Sequence, residues 1–128
     1  MTLHVALVIP DRELWSGEAG TVIAKTTEGD IGVLTGHSPV FGVLAEGSLV
    51  EVLTEESSVK AAVSGGFLSV ADDRVSILAA QAELAGEINV EQTRQELATA
   101  LAEATPGADD SPAVRYARAR LRAADSQD

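Results

Sequence analysis

At 128 residues, the chain supports one domain, or one domain with an appendage. Hydrophobic residues make up 45% of it and aromatics only 3%, so the core must be built from Val, Leu, Ile and Ala. A net charge of −11 argues against nucleic-acid binding, and the absence of cysteine excludes a disulfide framework and thiolate metal sites.

The amino terminus, MTLHVALVIPD, lacks the basic segment and long apolar run of a secretory signal. No run approaches the roughly 18 apolar residues of a membrane span, so a soluble chain is expected. Leu3, Val5, Leu7 and Ile9 alternate along a first strand that Pro10-Asp11 breaks. Short strands are predicted at 20–26, 40–45, 47–54, 58–64, 66–71 and 74–79, with minor ones at Leu14-Trp15 and Ile31 to Leu34. Glu55-Glu56-Ser57, Gly65-Gly66 and Asp72-Asp73 supply turn chemistry between them. Without helical crossovers a parallel βαβ sheet is disfavoured, and an antiparallel sandwich or barrel is expected.

Within this half, Glu28 to Gly47 holds five glycines and one proline among short apolar runs. Such a segment reads as turns between short strands that present a fixed surface. With one histidine and few acidic groups, it points to a docking part more than to an enzyme.

After Glu83 the period changes. Asn89 followed by Gln92 is a capping-box variant, and Val90, Leu97, Leu101 and Ala104 share one narrow helical face. Thr105-Pro106-Gly107 stops that helix. Ser111-Pro112 starts a second one, with Asp109 and Asp110 near its positive end. Val114, Ala117, Leu121 and Ala124 form its apolar stripe. Arg115, Arg118 and Arg122 lie on one strip beside the stripe, and Arg120 lies on the other side. The expected fold class is α+β: an antiparallel β-sandwich over 1–84, then a helix–loop–helix arm over 85–128. Large apolar residues in the arm are few, so it should be held loosely. The arginine strip reads either as a solvated helix face or as a switchable contact for an acidic partner.

The residues offer little chemistry. With only His4 and His37, a His-rich metal site is excluded, and no nucleophile elbow or phosphate-binding glycine loop occurs. No catalytic residue, metal ligand or cofactor is assigned. A rival reading is a small β-barrel enzyme or sugar-binding module using His37, Asp30 and Asp72 in a cleft.

Two blocks carry a family resemblance. The first is Gly29-Asp30-Ile31-Gly32-Val33-Leu34 with Gly36-His37-Ser38-Pro39. The second is Gly65-Gly66-Phe67-Leu68-Ser69-Val70 followed by Val75-Ser76-Ile77-Leu78-Ala79. Their wording and spacing resemble the epsilon subunits of bacterial F-type ATP synthases across essentially the whole chain. The resemblance implies a noncatalytic central-stalk subunit that couples proton flow to ATP synthesis. Its sandwich would pack on the gamma subunit and the ring of c subunits, with Asp30, Ile31, Gly32 and His37 as contact candidates. The C-terminal helices would regulate ATP hydrolysis by reaching the alpha/beta catalytic head, where Arg115, Arg118 and Arg122 would meet acidic surface. The implied location is peripheral, on the cytoplasmic face of the plasma membrane, without membrane insertion. Some family members bind ATP through an I-D-x-x-R-A motif. Here it is degraded: Asn89 replaces the Asp, and Gln92-Thr93 replace Arg-Ala, so no nucleotide site is expected. Thr35 stands where the family commonly has proline.

Overall fold

Alternation of branched aliphatic residues with small or polar ones dictates the strands, because successive side chains point to opposite faces. The computed structural model describes residues 2–103 and 111–125. Ten strands are present among them: β1 (Leu3–Ile9), β2 (Arg12–Ala19), β3 (Thr21–Thr26), β4 (Gly29–Leu34), β5 (Val40–Leu44), β6 (Ser48–Leu53), β7 (Ser58–Val63), β8 (Gly66–Ala71), β9 (Arg74–Ala79) and β10 (Ala82–Leu84). A 3₁₀ turn (Ala85–Glu87) leads to helices α1 (Val90–Glu103) and α2 (Pro112–Asp125).

The strands form one continuous sheet in the order β10-β7-β6-β3-β5-β8-β9-β1-β2, with β4 paired to β3. The sheet turns over at β3, whose first residues pair with β6 while Thr26 pairs with Leu44 of β5. All but one of the pairings are antiparallel. The exception is β1 on β9, which run parallel from His4 opposite Arg74 to Val8 opposite Leu78. That pairing ties the first strand to the end of the sandwich without a βαβ crossover. Leu14-Trp15 and Ile31 to Leu34, minor in the sequence reading, belong to the full strands β2 and β4. The short β10 went unpredicted, since three residues carry no period.

Leu3, Leu7, Val22, Val33, Leu44, Val50, Leu68 and Ile77 fill the interior and are fully buried. Each such side chain contributes roughly 1.5–3 kcal/mol of burial. Trp15 packs half-buried at the edge of this core. The cluster closes without any residue from the helices.

A second, smaller cluster holds the arm. Ala119 and Ala123 of α2 meet Ala62 of β7 and Ala85, flanked by Leu49, Ile88 and Tyr116. Val114 and Ala117 are buried as the sequence stripe required, whereas Leu121 and Ala124 are only half-buried. Ala119 and Ala123 lie roughly half a turn round the helix from Val114. Thus α2 has two buried faces, with α1 against it and β6 and β7 beneath it. Small side chains hid the second face from a hydrophobicity pattern, although they permit close approach. On α1, Val90 and Leu97 are half-buried, Leu101 is 37% exposed, and Thr93 is the one buried side chain. The Thr93 hydroxyl donates to the Asn89 carbonyl at 2.7 Å. Ala104, Asp109, Asp110 and the Thr105-Pro106-Gly107 stop lie outside the described residues.

Both helix starts are capped. The Gln92 amide donates to Asn89 Oδ1 at 2.9 Å, and the Val114 amide lies 3.4 Å from Ser111 Oγ.

Two glycines are required by close backbone approach. At Gly66 (φ 147°) a Cβ would sit 2.0 Å from the Leu78 carbonyl oxygen; at Gly47 (φ 63°) it would sit 2.4 Å from the Arg115 carbonyl carbon. The first contact is inside the sandwich and the second joins the sandwich to α2. Gly66→Ala is therefore expected to lower the unfolding free energy of the whole domain by on the order of 2–4 kcal/mol. Gly47→Ala should instead accelerate amide exchange chiefly in α2. Urea melts and residue-resolved exchange check the contrast.

Candidate functional site: an apolar outer face and a docked helix pair

The register of β5, β8, β9 and β1 brings their outward side chains into rows. Val43 stands opposite Phe67, Phe67 opposite Leu78, and Leu78 opposite Val8. The adjoining row runs Phe41, Ser69, Ser76 and Ala6. Neither row contains a charged residue, although the chain carries −11 overall. Phe41 and Phe67 stack with ring centroids 5.4 Å apart and planes at 26°. Phe41 is 67% exposed, and Phe67, Val43 and Leu78 are each nearly half exposed. A contiguous apolar surface of this kind marks a place for another chain. The sequence reading missed it. In runs such as VFGVL both faces of the strand are apolar, so periodicity does not say which face is outside.

The contact candidates named from the sequence lie elsewhere. Region 30–37 is not simply a turn: β4 occupies it through Leu34, pairing with β3, and the turn begins only at Thr35. Asp30 is exposed near the start of the strand, opposite Lys25, and Gly32 is exposed. Ile31 faces inward and packs against the core, which leaves it a supporting role. His37 follows the far end of β4, half-buried, with its amide donating to the Leu34 carbonyl at 3.1 Å. Its Nδ1 lies 2.7 Å from the Ser38 carbonyl oxygen. The turn is anchored by the Gly36 amide donating to Asp73 Oδ1 at 2.7 Å.

This placement removes the rival cleft. Asp72 and Asp73 form the β8–β9 turn with φ 51° and 60°, near the His37 end, while Asp30 is a strand's length away. Among the described residues no cluster of His, Asp and Glu is arranged to hold a metal ion.

The arm's arginines do not share one environment. Arg115 and Arg122 line an open groove between α2 and the sandwich together with Lys25, Asp30, Glu46 and Glu51. Arg122 Nη2 donates to the Gly47 carbonyl at 3.3 Å. Arg118 is exposed. Arg120, set aside in the sequence reading, is the most enclosed of the four. Its side chain is 12% exposed and meets Glu83 of β10 and Glu96 of α1. The Glu96 contact is a hydrogen bond; the Glu83 contact is a close charge pair that lacks hydrogen-bond alignment at Nε. Burial opposes the guanidinium's charge, yet the Glu96 hydrogen bond and both carboxylates outweigh it and hold its pKa above the ordinary range. The guanidinium also lies 5.2 Å from the centre of the Tyr116 ring.

The fold is thus an aliphatic β-sandwich with an exposed apolar patch around Phe41 and Phe67 and a helix pair packed over β6 and β7. A family model described as "ATP synthase, Delta/Epsilon chain, beta-sandwich domain" matches residues 2–85, and the chain belongs to that family. The ATP synthase epsilon chain of Thermobifida fusca (strain YX) is 54% identical over 129 residues, covering 98% of this chain and 94% of the relative. That of Streptomyces griseus subsp. griseus is 51% identical over 121 residues, covering 94% of each. Among solved structures, a chain of the Euglena gracilis mitochondrial ATP synthase (OSCP/F1/c-ring, rotational state 1) matches with TM-score 0.75 at 23% identity, covering 98% of this chain and 82% of that one. A chain in the central stalk/c-ring structure of the Tetrahymena thermophila mitochondrial ATP synthase matches with TM-score 0.64 at 18% identity, covering 97% of both. At those identities the two structures bear on the fold alone. Membership makes the chain a noncatalytic subunit of ATP synthase of the epsilon type. Among the described residues, no helix is long and apolar enough to cross a membrane.

Tyr116 reports on the docked arm. Burial first, then the nearby Glu83 charge, raises its pKa from 10.0 to about 12. A raised folded-state value means that its contribution to stability is complete below pH 10 and is lost as pH climbs through about 12. As the chain has one tyrosine, alkaline absorbance titration reads it directly. The folded chain is expected to ionise near 12 and the urea-unfolded chain near 10.

Proposed function

We propose that the chain works as a central-stalk (rotor) subunit that helps couple proton flow to ATP synthesis, with its C-terminal helices regulating ATP hydrolysis. The observation that carries this reading is the charge-free row of Val43, Phe67 and Leu78 with stacked Phe41, in a chain of this family. Aromatic and aliphatic side chains left in water across four strands are costly for a free monomer, and they suit a subunit held permanently against another. The Euglena structure contains F1 and the c-ring and the Tetrahymena structure the central stalk and c-ring, which supports assigning such partners here.

In this reading residues 1–84 are the stalk-binding domain and 85–128 the regulatory arm. The apolar face packs on the gamma subunit. Asp30, Gly32 and His37, with Ile31 behind them, form the foot toward the ring of c subunits. When the arm lifts, Arg115, Arg118 and Arg122 reach acidic surface on the alpha/beta head. The subunit sits peripherally on the cytoplasmic face of the bacterial plasma membrane. Asn89 already commits its Oδ1 to capping α1, and nothing in the reading calls for a bound nucleotide or other cofactor.

Two experiments bear on this. Replacing Phe41 and Phe67 by Ser should change the stability of the isolated chain by no more than about 1 kcal/mol, because both rings are largely outside the core. The same change should abolish co-purification with gamma. Deleting residues 85–128 should leave assembly and synthesis largely intact and alter ATP hydrolysis in membranes, since the main core draws nothing from the helices. A truncated chain that no longer joined gamma would refute the division of labour.

A further inference from the structure

We propose that Arg120 is an ionic latch that holds both helices of the arm on the sandwich and is itself masked while it does so. At the centre of the contact beneath α2 are alanines, Ala62 and Ala85 against Ala119 and Ala123, with partly buried Leu49, Ile88 and Tyr116 around them; the central four remove little apolar area from water. On α1 the one buried side chain is Thr93, and its extensive packing is against α2 rather than against the strands. Arg120 touches all three parts. Rooted in α2, it pairs with Glu83 on β10 and Glu96 on α1, and lies against the Tyr116 ring one turn earlier.

Arginine suits this post, since its planar, weakly hydrated group spreads one charge over several donors in a fixed fork and can also lie against an aromatic ring. The guanidinium is mostly enclosed, while Glu83 and Glu96 are 31% and 44% exposed. Salt and competing charges therefore reach the carboxylates even though the cation is shielded. In the docked arm two carboxylates occupy Arg120. Once the arm lifts, Arg120 joins Arg115, Arg118 and Arg122 as a fourth exposed cation of α2. The same group thus fastens the resting arm and strengthens its attraction to an acidic surface after release. This inference rests on the arm being a moving part, but its test does not depend on what the arm does to ATP hydrolysis.

The test is residue-resolved amide exchange on the full-length isolated chain, with β8 and β9 as internal references. Arg120→Leu is expected to accelerate exchange throughout 90–103 and 112–125 by on the order of tenfold while the references stay unchanged. Glu96→Gln should accelerate α1 alone, and Glu83→Gln should accelerate both helices. Raising salt from about 0.05 M to about 1 M should loosen the arm of the native chain and leave that of Arg120→Leu unaffected. The double exchange Glu83→Arg with Arg120→Glu should restore protection of α2 but not of α1, where Glu96 then faces a like charge. Arm exchange within about twofold of native in Arg120→Leu would overturn the latch. So would acceleration of β8 and β9 equal to that of the helices, or an identical response of both helices to Glu96→Gln. If instead the truncation experiment failed, the regulatory reading would fall and the latch would stand.

Discussion

The structure depends on where its large aliphatic side chains go. Leu3, Leu7, Leu44, Leu68 and Ile77, with a set of valines, are committed to the interior of one folded-over sheet. That core closes by itself. Fewer large side chains fasten the C-terminal helices, which rest on an alanine cluster flanked by Leu49, Ile88 and Tyr116, on buried Val114 and on polar contacts. The strand core and the helix pair therefore rest on separate sets of contacts. The arm is nevertheless docked in the folded chain: α2 sits so close over β6 and β7 that Gly47 has no room for a side chain.

Surface chemistry follows a similar division. An acidic chain can remain dispersed in water while carrying one apolar flank, because charge elsewhere opposes nonspecific association. On the flank formed by β5, β8, β9 and β1, the two rows around the stacked Phe41 and Phe67 carry no charge, and Arg74 with His4 stands in the row beyond them. The opposite character appears at the arm, where arginines face carboxylates of the sandwich across a groove and across the Glu83–Arg120–Glu96 contact. One surface suits permanent attachment, and the other suits a contact that charge can make and break.

Much of the fold was legible because strand and helix periods are local properties. The boundaries of β8 and β9 at 66–71 and 74–79 agree with expectation, since a glycine pair and an Asp-Asp turn punctuate them. Asn89 and Ser111 announced the helix starts for the same reason. The site was less legible. His37 and Asp30 looked like neighbours in a short turn, whereas a strand stands between them. Phe41 and Phe67 are 26 positions apart in the chain and meet only because β5 pairs with β8. Arg120 was set apart from the other arginines by its helical angle, but its carboxylate partners lie 37 and 24 residues upstream.

By itself the sequence determined the two-part organisation, the aliphatic character of the core, the helix caps and the family. All of these reside in composition, in period, or in short motifs whose physics acts between near neighbours. Tertiary structure decided which face of each doubly apolar strand is left outside, the parallel pairing of β1 with β9, the second buried face of α2, and the partners of Arg120. Each of these depends on the register between segments distant in the chain. No single segment contains that information, because a strand or helix carries the same side chains whichever neighbour it meets.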